Sequence, residues 1–101
     1  MSEQCILAVV VPMELRDDVV DALISCEQVS GFSLVDIAGY SREHAHFSLR
    51  EQVEGFREFA RFEVIHSAEW QASLLAALAP VCTPAGCRYT ITPVLEGGHF
   101  S

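Results

Sequence analysis

The order in which strand-like and helix-like hydrophobic patterns follow one another limits the fold of this chain more than any other feature. A β-branched apolar run at residues 5–11, ended by Pro12, predicts a strand buried on both faces. Apolar residues then recur every three or four positions, which predicts an amphipathic helix; they are Leu15, Val19, Leu23 and Cys26. Residues 32–40 predict a second strand. The first part of the chain is therefore a strand–helix–strand unit.

A second unit of the same kind follows the polar stretch 41–55. Residues 56–66 alternate, and one face of this third predicted strand carries Ala60, Phe62, Val64 and His66. Because His66 ends a core-facing set, we expect an interior, hydrogen-bonded histidine. We expect Ser67 to cap a second helix and Pro80 to stop it; its apolar stripe is Trp70, Leu74, Leu75 and Leu78. Residues 88–94 predict the last strand.

The resulting order, β-α-β-β-α-β, is the split arrangement of ferredoxin-like domains. We therefore predict an α+β fold with a single domain over residues 1–101, in which two helices cover one face of a four-stranded antiparallel sheet. The opposite face stays bare and includes Phe59 and Arg61. Mixed apolar and charged residues on such a face predict burial against another copy of the chain.

The charge balance excludes several classes of function. The chain has 14 Asp and Glu against 6 basic residues, all of them Arg, for a formal net charge of -8. This acidity disfavours binding to nucleic acid or to anionic membranes. The absence of Lys removes Schiff-base catalysis and the usual P-loop phosphate anchor, and no other catalytic constellation occurs, so we predict that the protein is not an enzyme.

Hydropathy and the start of the sequence bear on its location. No apolar run approaches the roughly 20 residues of a membrane-spanning helix, so we expect no direct membrane insertion. The first residues lack the basic start and the cleavage site of a signal peptide. We therefore expect a cytoplasmic protein.

The polar stretch 41–55 carries a candidate metal site. His44 and His46 are two residues apart, so in an extended segment both imidazoles point the same way, and Glu43 precedes them. Such a pair can chelate a divalent ion of zinc, nickel, cobalt or copper. The alternative is a solvated loop that happens to contain histidine.

Two cysteines flank the turn before the last strand, and their role has three interpretations. In the first, Cys82 and Cys87 are unconnected small residues. In the second they form a reversible disulfide that closes the turn, and in the third they are a pair of soft metal ligands. The predicted topology places both at the same end of the sheet as the paired histidines. Cys5 and Cys26 are expected to be core thiols at the opposite end, because Cys26 continues the apolar stripe of the first helix.

Several sequence blocks resemble a family of PII-like proteins, related to the nitrogen regulatory proteins and often encoded beside heavy-metal efflux pumps. The resemblance extends from Cys5 to Gly98. The blocks are V-S-G-F at 29–32, G-Y at 39–40, S-L-R-E-Q-V-E-G at 48–55 and I-T-P-V-L-E at 91–96.

This resemblance implies a homotrimeric signalling protein whose sheets face inward, with ligand clefts between subunits. In PII proteins the loop between the second and third strands contacts the partner. By position, the candidate contacts here are Arg42, Arg50 and Glu51. The implied function is a regulator that binds a divalent transition metal and modulates a protein partner such as a heavy-metal efflux transporter. Cys82 and Cys87 would complete the metal site.

An alternative follows from the turn before the last strand, which binds nucleotide phosphates in PII proteins. The corresponding residues are 80–88, with Gly86 and Arg88 as candidate nucleotide ligands. The segment has no Lys, and Arg88 is its one cation, so a triphosphate would be held poorly. A less charged adenine nucleotide, with the Cys pair as a redox gate, remains an alternative to the metal.

Overall fold

The computed structural model describes residues 3–40 and 57–101, which form the predicted α+β fold. In chain order the elements are strand β1 (Gln4–Pro12), a 3-10 turn (Met13–Leu15), helix α1 (Arg16–Ile24), strands β2 (Ser33–Gly39) and β3 (Arg57–Ser67), a 3-10 turn (Ala68–Trp70), helix α2 (Gln71–Cys82) and strand β4 (Arg88–Pro93). The strands form one sheet in the order β2-β3-β1-β4, and all neighbours are antiparallel.

The hydrophobic core lies between the two helices and one face of the sheet. Its centre is a set of directly opposed pairs on β1 and β3, because residues that face each other across an antiparallel ladder point to the same side. These pairs are Leu7–Val64, Val9–Phe62 and Val11–Ala60, all buried. The helices contribute Val19, Leu23, Leu74 and Leu78. The i, i+4 spacing within each helix explains why the same stripe stays on the core.

Helix α1 is shorter than its apolar pattern predicts, and the prediction of two core thiols is wrong. The helix ends at Ile24, where the Ser25 hydroxyl donates to the carbonyl oxygen of Asp21 at 2.8 Å. Cys26 therefore lies beyond the helix, half-buried, with its thiol 3.3 Å from the side-chain oxygen of Gln28. Cys5 is also only half-buried, since it lies near the end of β1 and outside the central core pairs.

The predicted capping hydrogen bond of Ser67 and the predicted stop at Pro80 are also wrong. Ser67 precedes the 3-10 turn in an extended conformation, but its side chain makes no capping hydrogen bond. Pro80 lies inside the helix, which continues to Cys82. A proline removes its own N–H from the helical ladder and crowds the carbonyl of the residue four positions before it, which usually kinks or ends a helix. Helical bonding nevertheless continues past Pro80, because the Thr83 N–H donates to Ala79 O at 2.9 Å.

The strand register shows which strand ends lie at the same end of the sheet. Pro12 pairs with Phe59 and Gly39 with Arg57, and β4 begins at the same end. The strand ends on either side of residues 41–55 therefore lie at the end of the sheet where the α2–β4 turn lies. The candidate residues of that segment lie outside the described residues; they are Arg42, Glu43, His44, His46, Arg50 and Glu51.

Helix length bears on membrane insertion. Within residues 3–40 and 57–101 there is no helix that is long and apolar enough to cross a membrane.

Candidate functional site

The end of helix α2 forms a Schellman motif, the αL helix ending in which two successive N–H groups bond back to the last turn. Gly86 has a φ of +62°, and its N–H donates to Thr83 O at 3.1 Å. The next N–H, of Cys87, donates to Cys82 O at 3.2 Å. These two bonds are the 5→2 and 6→1 bonds that define the motif. It is this motif, rather than Pro80, that ends the helix.

The motif brings Cys82 and Cys87 together. Within the motif, Cys82 provides the carbonyl of the 6→1 bond and Cys87 its N–H, and side chains at these two positions frequently make contact. Both residues are half-buried and pack against the hydrophobic core. They are not joined in a disulfide, and each influences the pKa of the other. The spacing of the two cysteines alone did not indicate that they lie together. The sequence signal that could have indicated it is the glycine at position 86, because a glycine after a helix often adopts the αL conformation of a Schellman motif.

The surroundings keep both thiols protonated at neutral pH. Burial, together with the neighbouring Cys87, raises the pKa of Cys82 from 9.0 to about 11. Burial also raises the pKa of Cys87, although the hydrogen bond from Cys82 works in the opposite direction. A protonated pair of this kind is a weak nucleophile and a weak metal ligand until a proton is removed.

The two thiols form part of the wall of a cleft of about 410 Å³ between β1, α2 and β4. The walls are mainly apolar, with the Tyr89 ring, half exposed, at one side. The lining residues are Leu7, Val9, Leu75, Leu78, Ala79, Cys82, Thr83, Gly86, Cys87 and Tyr89. A cleft of this size and character accepts a flat ring more readily than a highly charged group.

Of the two candidate nucleotide ligands, Gly86 lines the cleft and Arg88 does not. Arg88 pairs with Val10 across the β1–β4 ladder, whereas the cleft residue Tyr89 pairs with Val9 on the helix side. Alternation along β4 therefore places Arg88 on the opposite face of the sheet. Within one subunit, the structure brings no Arg of the described residues into the cleft wall.

Three of the four N–H groups of the turn, residues 83–87, are already used. The N–H groups of Thr83, Gly86 and Cys87 all donate to carbonyl oxygens of the helix end, and Pro84 has no N–H to give. A phosphate at this turn would have to compete for these three, which leaves the Ala85 N–H.

The candidate metal ligands fall in two groups. Cys82 and Cys87 lie together, whereas Glu43, His44 and His46 are outside the described residues. Across residues 3–40 and 57–101, no group of three or more Cys, His, Asp or Glu side chains is arranged to hold a metal ion. A metal bound by the two thiols would therefore take any third protein ligand from elsewhere.

His66 is an interior histidine, as predicted, at the other end of the sheet. Its side chain is 4% exposed, and Nδ1 lies 3.3 Å from the carbonyl oxygen of Val64. The second ring nitrogen, Nε2, is buried without a hydrogen-bond partner. Such an orphaned atom costs free energy.

The face of the sheet away from the helices has the mixed character expected from the sequence. Val35 and Ile65 are each 55% exposed on it. Between them Arg61 and Glu63 form an ion pair with a 3.1 Å separation of the Arg61 Nη1 and Glu63 Oε1 atoms. We call this surface, defined by Val35, Phe59, Arg61, Glu63 and Ile65, the open face.

Comparison with known proteins identifies the family. All of residues 1–101 match DUF3240, described as a protein of unknown function. The chain belongs to the DUF3240 family. It is 44% identical to a DUF3240 family protein of Shewanella baltica OS155 whose crystal structure is known, with a TM-score of 0.82 and 100% coverage of both chains. No curated protein matches the chain.

More distant structures share the fold of this DUF3240 protein. CPII, a nitrogen regulatory PII-like protein of Thiomonas intermedia K12 solved with ADP, AMP and bicarbonate, has a TM-score of 0.73 at 13% identity, and 97% of each chain is covered. Arabidopsis thaliana PII bound to citrate has a TM-score of 0.70 at 13% identity, with 93% of this chain and 77% of that chain covered. The predicted PII-like, ferredoxin-like fold is therefore confirmed.

Proposed function

We propose that the protein is a PII-like regulatory protein, a homotrimer that binds a weakly charged adenine nucleotide in the cleft beside the α2–β4 turn. The observation that carries the proposal is the cleft itself, in a fold that matches CPII over 97% of both chains. The PII-like fold makes a regulatory role the first candidate, and the cleft supplies a place for an effector.

The open face supports self-association. Val35 and Ile65 expose large apolar areas on a sheet surface that no helix covers. The Arg61–Glu63 pair satisfies its own charges, so burial of these two side chains leaves neither of them unpaired. Inward-facing sheets in a trimer would cover it.

The lining of the cleft favours a nucleotide with few phosphates. Its walls are mainly apolar, and three turn amides, those of Thr83, Gly86 and Cys87, are bonded to the end of α2. The net charge of -8 opposes a triphosphate further. AMP, held mainly through its adenine ring against Tyr89, fits these walls better than ATP.

Measuring the oligomeric state tests the proposal that the protein is a homotrimer. Light scattering during gel filtration should give the mass of a trimer for the wild type and a smaller mass for Ile65→Asp. The matched control is Ile24→Asp, because Ile24 is 70% exposed but lies on α1, away from the open face. A wild type that is monomeric at all concentrations contradicts the trimer.

Calorimetry with AMP, ADP and ATP tests the proposal that the cleft binds an adenine nucleotide. We expect AMP to bind the reduced protein most tightly, and Ala79→Trp to abolish binding by filling the cleft. Ala76→Trp is the matched control, since Ala76 is an exposed position of the same helix outside the cleft lining. Absence of heat with all three nucleotides contradicts a nucleotide effector.

A second candidate function, a response to a transition metal, is favoured by one observation. The strand ends that flank residues 41–55 lie at the same end of the sheet as the Cys82–Cys87 turn. Imidazole and thiolate ligands together suit zinc, copper, nickel or cobalt. In this case His44 and His46 bind the ion, with Glu43 and the thiols completing the site, and the loop then modulates a partner such as an efflux transporter.

Metal titration separates this candidate from the first. Wild type should bind one of these ions more tightly than the double variant His44→Ala, His46→Ala. The control is Cys5→Ser, Cys26→Ser, which removes two thiols from the other end of the sheet. Equal affinity in wild type and the histidine variant contradicts the metal site.

A further inference from the structure

The Schellman motif at the end of α2 places two thiols in contact at a ligand-sized cleft. We infer that Cys82 and Cys87 form a reversible disulfide, made by exchange with a low-molecular-weight disulfide such as oxidised glutathione, and that this modification changes the cleft wall. The effect on a bound nucleotide rests on the proposed function, whereas the disulfide itself does not.

The backbone already holds the two residues in the required relation. The bond from Cys87 N–H to Cys82 O, at 3.2 Å, and the αL conformation of Gly86 fix how the chain turns between them. A disulfide requires close Cβ atoms, and the backbone bond between the two residues keeps their main chains close. Because this turn is already formed, we expect rotation of the two side chains to bring the sulfurs to bonding distance.

The position of the pair relative to other thiols makes the reaction selective. Cys5 pairs with Pro93 and His66, at the end of the sheet opposite the α2–β4 turn. Cys26 follows α1, and its thiol contacts Gln28. Neither competes with Cys87 for Cys82 within one subunit.

The reaction balances as two successive exchanges. The Cys87 thiol loses its proton to solvent, and the thiolate attacks oxidised glutathione, which releases one glutathione thiolate and leaves a mixed disulfide. The Cys82 thiol then loses its proton, and its thiolate attacks the Cys87 sulfur, which releases the second glutathione thiolate. The two released thiolates take up the two protons. Two protein thiols are oxidised and one glutathione disulfide is reduced to two thiols.

Cys87 is the attacking residue in this scheme, and Cys82 is the resolving one. Burial raises the pKa of Cys82 to about 11, whereas the hydrogen bond that Cys87 receives from Cys82 opposes the rise for Cys87. Thiolate is the reactive form, so reaction begins at Cys87 and is slow at neutral pH. A slow, reversible switch is the expected behaviour.

Cys82 and Cys87 both line the cleft, so the modification acts directly on its wall. In the reduced protein they present two thiols beside Thr83 and Tyr89. In the oxidised protein one S–S bond replaces them, and the turn can no longer open. We expect the nucleotide affinity of the two forms to differ by roughly tenfold, in the range of ordinary coupling between sites.

The decisive experiment uses the full chain carrying Cys5→Ser and Cys26→Ser, so that only the pair of interest can react. The protein is equilibrated with defined ratios of reduced and oxidised glutathione and analysed by intact mass. We expect an intramolecular disulfide, seen as the loss of two hydrogens without an adduct, that dithiothreitol reverses. In the same background, Cys82→Ser should stop at the glutathione adduct.

A glycine comparison tests the role of the turn. Gly86→Ala disfavours the αL conformation and should lower the rate of disulfide formation roughly three- to tenfold. Gly31→Ala is the control, since Gly31 has no positive φ and open space around it. Equal rates for the two variants, or only adducts and intermolecular dimers in the parent protein, overturn the inference.

Calorimetry with AMP on the reduced and oxidised forms distinguishes this inference from the proposed function. A disulfide that forms in a protein that binds no nucleotide in either form contradicts the proposed effector and leaves the thiol chemistry standing. Nucleotide binding by a protein that forms no disulfide contradicts the inference alone. Equal AMP affinity in the two forms overturns the part of the inference that concerns the cleft.

Discussion

The N–H of Cys87 donates a hydrogen bond to the carbonyl oxygen of Cys82 at 3.2 Å, across a turn in which Gly86 has a φ of +62°. This single relationship ends helix α2, brings two thiols together and shapes one wall of the cleft. The helix end, the thiol contact and the candidate ligand site therefore depend on the same glycine.

Gly86→Ala should lower the free energy of unfolding by about 1–2 kcal/mol, because an L-residue is strained in the αL region. No atom lies within 4 Å of the added Cβ, so the loss comes from the backbone alone. Urea denaturation under reducing conditions measures it. Gly86→Asn should recover part of the loss, since Asn tolerates this conformation, and Gly31→Ala should change little. A Gly86→Ala variant as stable as wild type would contradict the αL ending.

Stability should fall as the pH rises from about 9 to about 11. The folded protein holds the pKa of Cys82 near 11, above the ordinary value of 9.0. Below pH 9 the thiol is protonated in both states and its contribution to stability is complete; above it the unfolded chain loses the proton first. Urea denaturation of reduced wild type and Cys82→Ser should show a shallower decline for the variant. Parallel curves would contradict the raised pKa.

His66→Leu should leave stability unchanged or raise it by about 1 kcal/mol. The Nε2 atom of His66 is buried without a partner, and an apolar side chain of similar size removes that unpaired group. The comparison is with Phe62→Leu, a core variant at which only packing changes and a loss is expected. A marked loss of stability in His66→Leu would mean that the imidazole has a second partner.

Gly39→Ala should destabilise the protein by about 1–3 kcal/mol through overpacking. A Cβ at this position would overlap the ring of Phe59 on the neighbouring strand. That ring also lies under the Arg57 guanidinium, 5.5 Å from its centre, so moving it disturbs a second contact. Gly98→Ala, which meets no atom within 4 Å, is the control in thermal unfolding. Equal melting temperatures would contradict the packing of Phe59 over Gly39.

The element order and the core could be predicted from the sequence, because hydrophobic periodicity records which side of each element is buried. The alternation along β3 placed Phe62 and Val64 in the core and Arg61 on the other face, as the structure does. The limits of the elements were less predictable. Pro80 indicated a helix end, but losing one N–H bond was not enough to stop a helix that packs through Leu74 and Leu78.

The candidate site, like the fold, could be predicted from the sequence only in part. That Cys82 and Cys87 flank a turn is visible in the sequence, and antiparallel topology placed that turn beside the strand ends that flank residues 41–55. That both cysteines line one cleft, that burial raises the pKa of Cys82 and that Arg88 lies across the sheet from the cleft could not be predicted. Each depends on which groups tertiary packing brings within a few ångströms.

The sequence by itself determined the fold of this protein, since two strand–helix–strand patterns with one apolar side each have few ways to bury that side. Only the tertiary structure decided where its chemistry lies. It ended α2 through a glycine in αL, left Cys5 and Cys26 outside the core, and placed the other two thiols at a cleft. Period and composition report burial averaged over an element, whereas a site depends on single distances and single backbone angles.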